Sequence, residues 1–158
     1  MSPKALTMRR LHNDTRGAAL VESVLSIILL VTMIFGITEL GFALYTYHYI
    51  AFAAREGTRY AIVRGSACNT FTTACPASTT QIQNYVLSLN YPGIDTTKML
   101  VTASFPTTGS NCTPSVSPCN NPGNVVKVVV TYQFPLASIF IPSATLPITT
   151  TSQMVISQ

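Results

Sequence analysis

Between Gly17 and Arg55 the chain carries two formal charges, Glu22 and Glu39, in a run otherwise dominated by apolar side chains. The run reads Ala18-Ala-Leu-Val, then Ser23-Val-Leu-Ser-Ile-Ile-Leu-Leu-Val-Thr-Met-Ile-Phe-Gly-Ile-Thr, then Leu40 to Leu44. At about 1.5 Å per residue, residues 18–44 make a helix about 40 Å long, enough to cross a hydrocarbon core of about 30 Å. The helical pattern does not stop there. Residues 45–64 contain no proline and keep Tyr45, Tyr49, Phe52, Tyr60 and Val63 near one stripe. Tyr45, Tyr47 and Tyr49 also stand where an interfacial aromatic belt is expected. The pattern predicts one helix from about Ala18 to Val63, ended by Gly65. Residues 1–17 are polar, lack periodicity and read as a disordered leader.

Past the helix the period changes. Residues 66–80 read as a Thr/Ser loop, and Gln81–Asn90 as a short amphipathic helix with Ile82, Tyr85, Val86 and Leu89 on one face. Asn90-Tyr-Pro-Gly93 is a turn. Three segments then alternate: Lys98–Phe105, Val125–Phe134 with Val126, Val128, Val130, Tyr132 and Phe134 on one face, and Leu146–Ile156 with Leu146, Ile148, Met154 and Ile156. Alternation of this kind marks an antiparallel sheet with one covered face. A three-stranded sheet needs a cover, and the second half of the long helix and the 81–90 helix are the candidates. The fold class is α+β.

Charge sharpens the picture. Apolar residues make up 47% of the chain and charged residues 9%, against roughly 25% charged in an ordinary soluble domain. Lys4, Arg9, Arg10 and Arg16 against Asp14 leave the first 17 residues at +3 of a total of +4. The basicity therefore flanks the membrane helix, where it sets orientation. A nucleic-acid face would need a basic cluster within the folded part, and there is none. Arg55, Arg59 and Arg64 lie close to the other end of the span and nearly balance the leader's cations. The cysteines break the tie. Cys68, Cys75, Cys112 and Cys119 all follow the helix, the pattern of a disulfide-stapled domain in an oxidising compartment. Proximity favours Cys68 with Cys75 and Cys112 with Cys119, although sequence alone leaves three connectivities open. The N-terminus is expected in the cytoplasm, the C-terminal domain exported, and the anchor in a single-pass bacterial inner membrane.

The most informative stretch is Arg16-Gly17-Ala18-Ala19-Leu20-Val21-Glu22. A basic leader ends at a glycine, an apolar helix begins, and a glutamate stands five residues on. An unpaired carboxylate in a hydrophobic segment costs several kcal/mol, so Glu22 needs a partner. Cleavage after Gly17 would create one, the free α-amine of Ala18. In an assembly of such helices, Glu22 of one subunit meets the amine of its neighbour and fixes their axial register.

These residues resemble type IV prepilins, and more closely the TadE-like pseudopilin family of tight-adherence (Flp-type) systems. Gly17 followed by Ala18 through Glu22 looks like the prepilin-peptidase signature. Phe35-Gly-Ile-Thr-Glu-Leu-Gly41 and Ala53-Ala-Arg-Glu-Gly-Thr-Arg-Tyr-Ala61 look like the TadE-like N-terminal half, and Val128-Val-Val-Thr-Tyr-Gln-Phe-Pro-Leu136 is loosely similar to its C-terminal sheet. Major pilins favour an aromatic after the glutamate, where this chain has Ser23, which points to a minor subunit. The resemblance implies a pilin-like architecture: a cleaved cytoplasmic leader (1–17), a long helix (18–64, with its membrane span at about 18–44) and a small exported domain (65–158). It implies a role in assembling or initiating a pilus, with prepilin peptidase, other pilins or pseudopilins, the pilus assembly platform and membrane lipid as partners.

Other readings of the same residues remain. An uncleaved anchor carrying an envelope scaffold or binding module would have no use for Glu22. A secretory signal cut after Ala51-Phe-Ala53 would need an apolar core far longer than the usual 7–15 residues. Glu39 near the outer interface is either solvated or a subunit contact. Arg55, Glu56 and Arg59 are candidate helix contacts, with Glu56 and Arg59 spaced for an exposed ion pair of a few tenths of a kcal/mol. The two C-x6-C pairs are too wide for the usual zinc pairs, so no metal is expected. Catalysis fails on inventory: after Arg64 the ionisable side chains other than Cys and Tyr are Asp95, Lys98 and Lys127. They supply no exported histidine and no second carboxylate, and no phosphate-binding loop accompanies them. No cofactor and no enzyme activity are expected.

Overall fold

A computed structural model describes residues 15–68, 75–106, 119–136 and 144–157, with side chains from Gly17 onward. The elements run α1 (Thr15–Ile62), α2 (Thr79–Ser88), a 3-10 turn (Thr96–Lys98), β1 (Met99–Ser104), β2 (Val125–Pro135) and β3 (Thr145–Val155). The chain divides into two compact units, Met1–Leu40 and Gly41–Gln158, and α1 contributes to both.

In the first unit α1 begins at Thr15, three residues before the expected start. Thr15, Arg16 and Gly17 are thus helical rather than part of a structureless leader. Extending an existing helix adds one hydrogen bond for each residue fixed, and a glycine costs only about 1 kcal/mol against that gain. From Leu20 to Leu40 the large apolar side chains are exposed all round, Leu20 at 69% and Leu29 at 72%. Water would not tolerate this surface. The helix is long and apolar enough to cross a membrane.

In the second unit β1, β2 and β3 form one antiparallel meander with β2 in the centre. The even positions of β2, Val126, Val128 and Val130, are completely buried, with Tyr132 and Phe134 nearly so, and Met99, Val101 and Ala103 of β1 join them. Covering this face contributes about 1.5–3 kcal/mol for each large side chain. The covers are those expected from the alternation: the 41–62 part of α1, and α2 through Ile82 and Val86. Helix α2 starts at Thr79, ahead of the expected Gln81, because Ser78 and Gln81 form a capping box. Gly93 has φ +81° and Ile94 N–H bonds back to Tyr91 C=O at 3.2 Å, which makes the expected Pro-Gly turn.

The buried stripe of α1 is not the aromatic one. Thr46, Tyr49, Ile50, Ala53, Ala54, Gly57, Thr58 and Ala61 are buried, while Tyr45 and Phe52 are exposed and Tyr60 and Val63 half-buried. Tyr49 lies in the core, so it does not belong to an interfacial belt; its hydroxyl donates to Leu89 C=O at 2.5 Å. Small residues win this face because the elements it covers come close. A Cβ built on Gly57 would lie 2.6 Å from Val86 Cγ2 and 3.3 Å from Val128 Cγ1.

Strand β3 is the least apolar of the three. On its inner face Thr150 and Ser152 are half-buried and Leu146 is 46% exposed, so the expected Leu146 contribution to the core is not made. The hydroxyls find partners instead. Thr150 donates to Ile50 C=O at 3.0 Å, and Ser152 Oγ lies 3.0 Å from Thr58 Oγ1. Because Thr58 is within hydrogen-bonding reach of Arg55 C=O (2.8 Å), Ser152 serves as the donor to Thr58. The end of α1 is closed by Ser157, whose N–H and hydroxyl both donate to Ile62 C=O, satisfying a carbonyl that has no intrahelical partner.

Two consequences can be measured by thermal unfolding of the detergent-solubilised chain. At Gly57 the helix-propensity gain of alanine, about 1 kcal/mol, opposes an overpacking cost of about 1–3 kcal/mol against a stiff, buried valine. Gly57→Ala should lower the melting temperature modestly and Gly57→Val severely; an increase with Ala would mean the contact is looser than described. Asp95 caps the 3-10 turn, and hydrogen bonds from the Thr97 hydroxyl (2.6 Å) and N–H (3.0 Å) hold its carboxyl below the usual aspartate value. A depressed carboxyl stabilises above its unfolded pKa, and that stabilisation is lost as pH falls through the folded value. Between about pH 6 and about pH 3, Asp95→Asn should therefore reduce the acid-induced drop in melting temperature, and an unchanged drop would remove Asp95 from the account.

Candidate assembly site

The expected site residues fall into three groups along α1, and the structure does not gather them into one pocket. Gly17, Ala18 and Glu22 occupy the first two turns. Glu22 is exposed and forms no hydrogen bond or ion pair with any described residue. It stands four residues after Ala18, hence on the same helix face and about 6 Å further along the axis. This end of the helix thus combines an apolar surface with one carboxylate that has no partner among the described residues.

Glu39 is half-buried, and its Oε1 is fully buried without a hydrogen-bond partner among the described residues. The hydroxyls of the apolar stretch behave differently. Ser23, Thr32 and Thr38 each donate to the carbonyl four residues back, at 2.8–2.9 Å, so they are satisfied within the helix and tolerated in an apolar setting. The carboxylates of Glu22 and Glu39, by contrast, form no ion pair with any described residue.

The third group, Arg55, Glu56 and Arg59, sits near the end of α1. Glu56 and Arg59 form the expected pair at 3.2 Å, with Arg59 67% and Glu56 24% exposed, worth a few tenths of a kcal/mol. Arg55 is exposed and its Nε–H donates to Ala51 C=O at 3.2 Å. The sequence reading missed the aromatic and cationic packing around this part of the helix. Tyr60 stacks on Tyr85 with centroids 4.3 Å apart, the Arg64 guanidinium lies 3.9 Å over the Tyr60 ring, and the Tyr49 ring is 4.6 Å from Tyr91. The aromatic stripe was visible in the sequence, but its packing partners on and after α2 were not.

Cys68 and Cys75 are disulfide-bonded, with Cα atoms 6.0 Å apart, as proximity favoured. Cys119 is buried and also disulfide-bonded. Cys112 lies outside the described residues.

The fold defines a class: one long apolar helix whose second half completes a small α+β domain. The model of the TadE-like protein family matches residues 17–59, which include the helix-start and the 35–41 motifs quoted above and most of the 53–61 motif. No curated protein and no solved structure matches the chain.

The Cys68–Cys75 bridge closes a loop with a sequence separation of 7, for which chain entropy gives about 2.5 kcal/mol. Replacing both cysteines with serine should lower the melting temperature without changing membrane insertion. An unchanged melting temperature would show that the bridge constrains nothing in the unfolded chain.

Proposed function

We propose that this protein is a minor pilin or pseudopilin of a tight-adherence-type pilus. It is processed by prepilin peptidase after Gly17 and inserts in the bacterial inner membrane, with its N-terminus in the cytoplasm and its α+β domain outside. There it helps assemble or initiate the filament. The observation that carries this reading is Glu22: a carboxylate exposed on an apolar helix, without a partner among the described residues, five residues past a glycine. Cleavage gives each subunit one amine and one carboxylate a helical turn apart. Pairing across subunits then fixes their axial offset, while the apolar surface from Leu20 to Leu44 supplies adhesion between helices. The work is structural, and no side chain is assigned a catalytic role.

One observation favours a second reading. The Gly17–Ala18 bond lies inside α1, a conformation that suits a permanent, uncut anchor for an envelope scaffold or binding module. The N-terminal residue of the mature chain separates the two, being Ala18 for the pilin and Met1 for the anchor. Glu22→Ala tests the assembly role directly. Removing the charge makes the helix more apolar, so membrane fractionation should find the variant inserted as before. Co-purification with sheared filaments should be lost, and normal incorporation would overturn the proposal.

A further inference from the structure

The two edges of the sheet are unlike. Strand β1 has α2 packed against it, whereas no described strand pairs with the outer edge of β3. The direction of each β3 peptide group follows from the ends of the ladder. Ile156 donates to Asn124 C=O at 2.8 Å and accepts from Gly123 N–H at 2.9 Å, and Ala144 C=O accepts from Leu136 N–H at 3.0 Å. The register with β2 is unbroken between these points, so the even residues of β3 turn their backbone toward β2 and the odd residues turn theirs outward. Pro147 is odd, which puts its missing N–H on the outer side and leaves the ladder intact. The N–H and C=O groups of Thr149, Thr151, Gln153 and Val155 then point outward, without a backbone partner among the described residues.

Such an edge is a pairing template, and proteins blunt it with charges, bulges, short strands or a cover. This one runs from Thr145 to Val155 and carries no charged side chain. Beside it lies a groove of about 480 Å³, walled by Tyr47, Ala51 and Arg55 at one-turn spacing on α1 and floored by residues 149–153 of β3. Arg55 is the one charge lining it. None of the described carboxylates forms an ion pair with it.

We propose that this edge is a strand-docking site taking an extended acidic segment of another protein, which adds a fourth strand along β3 and sets a carboxylate against Arg55. Main-chain bonds supply affinity and the side-chain contact supplies preference. The occupant is not a second copy. From Gly41 onward the chain's carboxylate side chains are Glu56 and Asp95; the first is paired with Arg59 and the second caps the 3-10 turn, so this chain offers no free acidic strand. The site does not involve Glu22 and stands independently of the filament role.

The probe is a labelled peptide of about nine residues, alternating Thr and Val with one central Glu. It is titrated by anisotropy against the full chain in detergent micelles, with binding to empty micelles subtracted. The peptide should bind. Replacing its Glu with Gln should weaken binding roughly threefold, the scale of an exposed ion pair, and Arg55→Gln should erase that difference. Methylating alternate peptide amides should abolish binding, as should Thr151→Pro, which removes one outward donor. If Thr151→Pro disturbs folding, the methylated peptide still decides the matter. Absence of binding, equal binding of the methylated peptide, or a Glu preference that survives Arg55→Gln would each overturn the proposal. Self-association of the chain that the peptide displaces would overturn it too, by showing that a second copy fills the edge.

Discussion

The C-terminal unit depends on how closely α1 approaches the residues it covers. At Gly57 there is no room for a methyl group between the helix backbone and Val86 of α2, with Val128 of β2 also close. Ala53, Ala54, Thr58 and Ala61 extend this narrow face over several turns. The other arrangements follow. Because the helix side chains are small, the valines of β2 fill the interior, and the hydroxyls of Thr150 and Ser152 come within reach of helix groups near Ile50 and Thr58. Larger helix side chains would separate the layers and take the partners from those half-buried hydroxyls.

The same helix obeys different rules in its two halves. From Leu20 to Leu40 it is apolar on all sides, and the hydroxyls of Ser23, Thr32 and Thr38 fold back onto its own backbone. The carboxylates of Glu22 and Glu39 form no ion pair with any described residue, and Glu39 Oε1 is buried without a hydrogen-bond partner among them. From Thr46 onward one face is buried and the opposite one carries Arg55 and Arg59. The change in exposure and charge along a single helix matches a change of surroundings from hydrocarbon to water.

Much of this was legible in the sequence because the signals were periodic. The alternation in Val125–Phe134 and the long apolar run are strong patterns, and both elements formed within a few residues of where they were expected. Which face of α1 is buried could not be read from the size of its side chains. Tyr45, Phe52 and Tyr60 are the large residues, yet alanine, glycine and threonine occupy the interface, and a close approach is not visible until both partners are known. The start of α2 was missed although Ser78 and Gln81 spell a capping box. Of the candidate site, the helix-start residues stand where the motif placed them, and Glu56 with Arg59 formed the spaced pair. The groove beside β3 could not be foreseen, since it joins Arg55 to residues almost a hundred positions later.

Helix α1 is long and apolar enough to cross a membrane over one part of its length and belongs to a hydrophobic core over another, which bears on how such a protein can be turned over. Many anchored proteins keep a severable stalk between membrane and domain, and a single cut there releases a working ectodomain. Here the segment after Leu44 is already core, with Tyr49, Ile50, Ala53 and Ala54 buried. A cut within it removes the lid from the sheet and exposes the valine row of β2. Shedding and unfolding become one event, so the domain has no stable life apart from the helix that holds it.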